Sequence, residues 1–579
     1  MSEMIRHGGD RVAAALHAHG VKWIFTLCGG HISPILVAAK RRGIAIIDVR
    51  DEATAVFAAD AAARLTGTPG VAAVTAGPGL TNTVTALKNA QMAASPVLLI
   101  GGAAPTALQG RGALQDIDQK SLVAPHVKFC RQVRRVVDLG AATEAALAAC
   151  LDGVPGPAFV ECPVDLLYEE SLIRQWYADA AGKGQSLGDK LLRWYLNRHA
   201  ARMFEGACAP YAPVARALQP PQASAGSISA IVSALQRAAR PLMVLGSQSV
   251  VDAHRASEVA VAARQLGIPV YLSGMARGLL GPADKLLMRH ARRDALREAD
   301  TVLLAGVPCD FRLDYGKHVR RSATLIALNR SAKEARMNRR PTLAAIGDAG
   351  HSLIRIAQDA SWPARDAWIS TLRHRDDARD LDIAAQATAP GEFVNPLALL
   401  RTLDELAGEH AIYVVDGGDF VSTAAYVLKA RGPLSWLDPG AFGTLGVGAG
   451  FALGSALARP GHPVWLIWGD GASGYGLAEF DTFVRHRIPV IAVVGNDAGW
   501  TQIAREQVKM LGDDVGTVLA RTAYHDVAAG FGAVGIEIRR ADEIRAGLTR
   551  AIGAALGGSP VLVNVWLDKT AFRDGSISM

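Results

Sequence analysis

The sequence predicts an α/β fold of three consecutive domains with mostly parallel sheets. Short apolar runs rich in Val, Ile and Leu recur and end in Gly, Asp or Pro, and Ala-rich stretches of helical period separate them. The runs do not alternate apolar with polar. Each therefore reads as a strand buried on both faces, as a helix-covered parallel sheet requires. In chain order they are GIAIIDV, GVAAVTAG, PVLLIGG, PAFVECP, PLMVLGS, TVLLAGV, TLIALN, IYVVDGG, PVWLIWGDG, PVIAVVGND and PVLVNVWL. EATAVFAADAAARL and TNTVTALKNAQMAA are two of the intervening helical stretches.

Two shifts in composition divide the chain. The first stretch loses the strand pattern and ends in QPPQASAGS; the second is charged and then loose, RHRDDARDLDIAAQATAPGEF. The expected order is a first domain at 1–170, a linker at 171–224, a middle domain at 225–360, a linker at 361–394 and a last domain at 395–579. Within the first linker, DKLLRWYLNRHAARMF is amphipathic. Packing on its own domain is the favoured reading, with a membrane surface or partner helix left open.

Composition excludes several classes. The 579 residues are 50% hydrophobic and 20% charged, which rules out a disordered or fibrous chain. Six scattered cysteines (Cys28, Cys130, Cys150, Cys162, Cys208, Cys309) form no C-x-x-C pair, so a reducing compartment is expected rather than a disulfide framework or zinc site. The N-terminus lacks the apolar core of a signal peptide. The uncharged runs Thr66–Leu87 and Pro439–Ala458 carry too many glycines and prolines for a membrane span and read as buried turns and packed helices. The chain is expected to be soluble and cytoplasmic, with no membrane partner. A net charge of +7 is spread without a basic tract interleaved with aromatics, so no nucleic acid is expected, while anionic small molecules suit the surface.

Three constellations carry chemistry. Gly469-Asp470-Gly471 follows the strand PVWLIW, and Asp497 in Gly495-Asn496-Asp497-Ala498-Gly499-Trp500 stands 27 residues later, one βαβ crossover away. Two carboxylates at neighbouring strand ends suit a hard cation such as Mg²⁺ together with a phosphate, or else simply cap helices. The glycine run 440–450 invites a dinucleotide reading, but no unbroken strand precedes it. Glu52 opens the helix after GIAIIDV among Ala, Thr, Val and Phe. It is either a helix-dipole partner or a buried acid whose raised pKa suits proton transfer.

Taken together, Glu52, Thr75-Ala76-Gly77-Pro78-Gly79-Leu80-Thr81-Asn82, GTLG at 443–446 and the spaced GDG and ND pairs resemble the thiamine-diphosphate enzymes of the acetolactate synthase superfamily. The segments RGALQDIDQ, GSQS, GMARGLLG, CDFRLDYG, VDGGDF, LDPGAFGTLGVGAGFALG, EFDTFVRH, GNDAGWTQI and the tail FRDGSI are similar to its acetolactate-synthase-like branch of 2-hydroxyacyl-CoA lyases. The resemblance implies pyrimidine, middle and diphosphate domains in that order. It implies that Glu52 hydrogen-bonds the aminopyrimidine N1′, that Leu445 bends the coenzyme, and that Gly443, Thr444 and Leu445 line the pyrimidine. It further implies that Asp470, Asp497 and the Gly499 carbonyl bind Mg²⁺, with Asn496 replacing Asp497 if the loop shifts by one residue. Gly471 and Ala472 amides would meet the diphosphate, with Asp419 and Trp500 nearby. His31, in Cys28-Gly29-Gly30-His31, and Gln115 would face the substrate.

The implied reaction is reversible cleavage of a 2-hydroxyacyl-CoA to formyl-CoA and an aldehyde or ketone. The alternatives are acetolactate-type condensation of 2-oxo acids and oxalyl-CoA decarboxylation. The implied partners are an acyl-CoA substrate and a second copy of the chain, with a dimer as minimum and a tetramer expected. ADP is a candidate for the middle domain, with FAD less favoured. Arg277, Arg312, Lys317 and Arg330 are candidate phosphate contacts, each with a solvated-surface alternative.

Overall fold

The computed structural model describes residues 7–181, 186–215, 218–358 and 361–574; residues 575–577 of the FRDGSI tail lie outside them. Among the described residues, eighteen strands form three six-stranded sheets, and the strands within each sheet pair in parallel. The first holds β1 (Trp23–Thr26), β2 (Ala45–Asp48), β3 (Gly70–Val74), β4 (Val97–Ala103), β5 (Phe129–Gln132) and β6 (Ala158–Pro163) in the order β2-β1-β3-β4-β6-β5. The second holds β7 (Pro241–Leu245), β8 (Val270–Leu272), β9 (Leu287–Met288), β10 (Thr301–Ala305), β11 (Thr324–Asn329) and β12 (Leu343–Ile346) in the order β12-β11-β10-β7-β8-β9. The third holds β13 (Ile412–Asp416), β14 (Trp436–Leu437), β15 (Val464–Gly469), β16 (Val490–Asn496), β17 (Val534–Ile538) and β18 (Val561–Trp566) in the order β14-β13-β15-β16-β18-β17.

All eleven runs read as strands contain one. The sequence reading missed β1, β5, β8, β9, β12, β14 and β17. All seven are two to five residues long, and β5 and β17 are edge strands only partly buried. Too few apolar residues stand in a row to announce them. The strand order reverses between β1 and β3 in the first sheet and between β13 and β15 in the third. Open parallel sheets bind ligands at these points, where successive crossovers leave on opposite faces and part the loops.

Two compact units divide the chain, one of residues up to 63 with 68–218, the other of 64–67 with 219 onward. In the first, the stretch read as a linker is ordered: helices Glu170–Ala180 and Leu187–Met203 cover the sheet, with Ile173, Leu196, Ala200 and Met203 in its core. In the second, the stretch read as loose forms the 21-residue helix Asp366–Gln386. Asp376 is buried and accepts from the Arg289 and His290 amides at 2.7 and 2.6 Å, most of the other charges reach water, Trp368 and Leu372 join the core beside the second sheet, and Ile383 joins that of the third. The uncharged run 66–87 becomes β3 and two helices, and 439–458 ends in the helix Val447–Ala458. No helix among the described residues is long and apolar enough to cross a membrane.

Close packing of helix on strand is tightest where β3 begins. A Cβ on Gly70 would sit 1.9 Å from the Ala59 carbonyl oxygen of the helix Glu52–Thr66, whereas a Cβ on Gly226, inside the helix Ala225–Arg237, meets nothing within 4 Å. Gly70→Ala should therefore lower unfolding free energy by about 1–3 kcal/mol in denaturant titrations. Gly226→Ala should raise it by about 0.5–1 kcal/mol.

Candidate functional site

In the first unit the reversal between β1 and β3 gathers four segments. The loop after β1 carries Gly29 and His31, the loop after β3 carries Thr75 and Gly77, the turn Pro78–Asn82 follows, and Glu52 opens the helix behind β2. Glu52 is 7% exposed, and its Oε2 accepts a 3.0 Å hydrogen bond from Asn82 Nδ2. His31 Nδ1 lies 3.0 Å from Thr75 Oγ1, and burial lowers the imidazole pKa below its ordinary value. Nε2 is therefore the nitrogen that remains to give or take a proton, on a ring held neutral at pH 7.

Gln115 takes the left-handed backbone conformation (φ 62°), unusual for a side-chain-bearing residue. Gly77 permits it: a Cβ there would lie 2.7 Å from the Gln115 carbonyl oxygen. A residue absent from the sequence reading holds Gly77 in turn. Gln119, 2% exposed, accepts from the Gly77 amide at 3.1 Å and donates to the Gly102 carbonyl at 3.0 Å and to Glu161 Oε2 at 3.1 Å. Gln132 donates to the other Glu161 oxygen at 3.2 Å. Burial raises the Glu161 pKa, and the two glutamine bonds oppose the rise. Glu161 stands 42 residues from Gln119 in the chain, so no local spacing announces the pair.

In the second unit the reversal between β13 and β15 does the same for a second set. Asp470 opens the short helix after β15, 3% exposed; its Oδ1 accepts from the Gly471 amide at 2.8 Å and its Oδ2 from the Gly499 amide at 3.1 Å. Burial and then the charge of Asp497 push its pKa up to about 7. Burial also raises Asp497, with Asp419 adding to the rise and Lys569 and Arg521 opposing it. Asp419 pairs with Arg505 at 2.6 Å. The fold thus brings Asp419, Asp470 and Asp497 into one electrostatic neighbourhood. Among the described residues no three His, Cys, Asp or Glu side chains form a metal site by themselves, so a cation here would also need backbone or ligand oxygens.

Asn496 is different. It is fully buried, its Nδ2 donates to the Thr522 carbonyl at 3.1 Å and lies 3.3 Å from Asn564 Oδ1, and its own Oδ1 has no partner. Trp500 lies flat against Asp470's neighbour: a Cβ on Gly471 would meet its ring at 2.5 Å. The Gly471 amide expected on a diphosphate is bonded to Asp470.

The glycine run is anchored by a second residue missing from the sequence reading. Asp416, fully buried at the end of β13, accepts from the Gly446 amide at 3.2 Å, the Gly448 amide at 2.8 Å and Trp468 Nε1 at 3.2 Å. Burial pushes its pKa up to about 6 against these bonds. Gly417 and Gly418 follow with φ of 60° and 93°, a turn only glycine makes cheaply, and a Cβ on Gly417 would lie 2.0 Å from Leu445 Cδ2. Leu445 is so fixed over the turn, between left-handed Gly443 and Gly446, with Thr444 Oγ1 donating to the Leu445 carbonyl at 3.0 Å. The signal was present in the sequence: DGG at a strand end repeats the pattern of GDG.

The four cations proposed for phosphate are not brought together. Arg330 is buried in an ion pair with Asp348 at 2.6 Å, and Lys317 is exposed beside Asp314. Arg277 and Arg312 do line a common cavity of about 690 Å³ with Arg289, Arg292, Tyr426 and Trp436. There Arg312 pairs with Asp310 at 2.5 Å, while Arg277 donates to the Ala425 carbonyl at 2.9 Å and stacks over Trp436. Burial lowers the pKa of both Arg277 and Arg292.

Comparison with known proteins adds to this geometry. The chain matches the families described as thiamine pyrophosphate enzyme N-terminal TPP binding domain over residues 6–122, central domain over 228–356 and C-terminal TPP binding domain over 416–565. It is 51% identical to 2-hydroxyacyl-CoA lyase 2 of Homo sapiens across 99% of this chain and 92% of the relative. It is 48% identical to 2-hydroxyacyl-CoA lyase 2 of Caenorhabditis elegans across 99% and 91%. It is 34% identical to an acetolactate synthase large subunit of Mycobacterium tuberculosis across 97% and 96%.

Asp416 offers a direct test. Asp416→Ala strands three buried donors and should cost at least about 3 kcal/mol in unfolding free energy. The wild-type Asp416 retains a proton when folded that the unfolded chain loses above about pH 4. Its contribution is thus full below pH 4 and declines as pH rises through about 6. Thermal melts at pH 5 and pH 8 should show a larger gap to Asp416→Asn at pH 5.

Proposed function

Because the chain belongs to the thiamine pyrophosphate enzyme family, we propose that it is a thiamine-diphosphate- and Mg²⁺-dependent carbon–carbon lyase. It cleaves a 2-hydroxyacyl-CoA to formyl-CoA and an aldehyde or ketone, and runs the same condensation in reverse. The substrate class rests on the 51% identity to a 2-hydroxyacyl-CoA lyase across nearly the whole chain. The observation that carries the chemistry is Glu52, a buried carboxylate fixed by Asn82 at the ligand-binding end of the first sheet.

The residues present fit the coenzyme and its ion. The buried Asp470 lies close enough to the partly exposed Asp497 for that charge to raise its pKa, and a divalent cation relieves the repulsion. Asp470, Asp497 and the Gly499 carbonyl would hold Mg²⁺. Asp497 is favoured over Asn496 because its charge acts on Asp470, while Asn496 is fully buried beside Thr522 and Asn564. Glu52 would hold the aminopyrimidine N1′, Leu445 and the backbone of Gly443 and Thr444 would line that ring, and Ala472, Gly471 and Trp500 would border the diphosphate. When bound, the coenzyme supplies a carbon nucleophile that no side chain provides.

This chain's residues do the rest. His31 moves a proton at the substrate oxygen through Nε2, and Gln115 orients the substrate by hydrogen bonding, its position set by Gly77, Gln119 and Glu161. The cavity lined by Arg277, Arg289, Arg292 and Arg312 takes the coenzyme A nucleotide, where burial makes its arginines favour a phosphate over water. The active unit is a homo-oligomer of at least two chains, in which Glu52 of one protomer serves the diphosphate half-site of its partner. A second reading, condensation of 2-oxo acids, is favoured by the 34% identity to acetolactate synthase. Acetolactate formed from pyruvate, without formyl-CoA from any 2-hydroxyacyl-CoA, would select it.

Incubation with thiamine diphosphate, Mg²⁺ and a 2-hydroxyacyl-CoA should yield formyl-CoA by mass spectrometry. Glu52→Gln should lower turnover by about 10²–10⁴-fold, and chelation by EDTA should abolish it until Mg²⁺ is restored. Unchanged turnover in Glu52→Gln would overturn the reading.

The pH profile tests His31 separately. With the imidazole pKa lowered by burial, the acid limb of turnover should fall below the ordinary histidine value of about 6.5. His31→Gln, which can still bond Thr75, should lose that limb and about 10²-fold in rate.

A further inference from the structure

The helix Leu187–Met203 carries two apolar faces. Leu196, Ala200 and Met203 are buried in the core of the first unit. On the opposite side, at i, i+4, i+7 and i+8, stand Leu187, Leu191, Trp194 and Tyr195, which are 80%, 67%, 60% and 42% exposed. At 100° per residue these four fall within one arc turned away from the buried one. A surface helix ordinarily shows polar groups on that side. The exposed side chains of Lys190, Arg198 and Arg202 stand on the same side of the helix, and the Arg198 guanidinium lies 5.6 Å from the centre of the Trp194 ring. Asp189, the helix's single acid, lies at its start, where it accepts from the Ser186 amide.

We propose that this outward face is a peripheral membrane-binding surface that seats in the interface of an anionic bilayer. Leucines that enter the acyl boundary, a tryptophan and a tyrosine at headgroup level, and lysine and arginine heads on phosphates are the chemistry of such a surface. A second copy of the chain seated stripe to stripe would set the same three cations against one another. The proposal revises the sequence expectation that the chain meets no membrane, and it requires no spanning segment.

Flotation of the full chain with vesicles tests it. The chain should float with vesicles of phosphatidylcholine and phosphatidylserine at low salt, and should stay behind with phosphatidylcholine alone. The double variant Leu191→Ser/Trp194→Ser should lose at least about tenfold in vesicle partitioning while keeping the circular dichroism and lyase turnover of the parent. Lys190→Glu/Arg198→Glu should abolish the preference for phosphatidylserine. Failure of the parent chain to float, or flotation of the Leu191/Trp194 variant equal to the parent's, would overturn the proposal. So would a fall in oligomeric state of that variant in sedimentation, since the stripe would then be a subunit interface.

Discussion

A parallel strand can rejoin its neighbour only by a crossover over one face of the sheet. Where successive crossovers take opposite faces, the two departing loops separate and leave a crevice at the carboxyl ends. This constraint places the candidate residues within each unit. Between β1 and β3 it parts the loops of His31 and Thr75, and between β13 and β15 it parts those of Asp419 and Asp470. Neither set needs its members close in sequence.

Once the crevices exist, buried carboxylates hold the loops in shape. Asp416 gathers two amides of the glycine run and the N–H of Trp468, 52 residues later in the chain, and so fixes Leu445 over Gly417. Glu161 does comparable work through Gln119, which carries the constraint to Gly77 and so to Gln115. Asp470 and Asp497 differ from these anchors. The charge of Asp497 raises the pKa of Asp470, whereas no neighbouring carboxylate acts on Asp416.

Much of the fold was legible because its central strands are long, apolar and bounded by Gly, Asp or Pro. β15 and β16 show this best, each six or seven residues buried throughout. β1 was not legible despite its place at a reversal point, because four residues carry too little pattern. The helix Asp366–Gln386 was misread as loose because its buried apolar positions, Trp368, Leu372 and Ile383, are few among charges, one of which, Asp376, is itself buried.

The sequence by itself determined the class of fold and the residues whose chemistry depends on a local frame: Glu52 at a helix start, Asp470 between glycines, Asp497 one crossover later. Local frames suffice there because a strand end followed by a turn presents its side chain whatever lies beyond. Only the tertiary structure decided which side chains hold those frames and which cations are already engaged. Asp416, Gln119 and Glu161 act on backbone groups of distant segments, and Arg330 is neutralised by Asp348. Hydrogen bonds and ion pairs between remote segments leave no period in the chain, since their partners meet only when the sheets assemble.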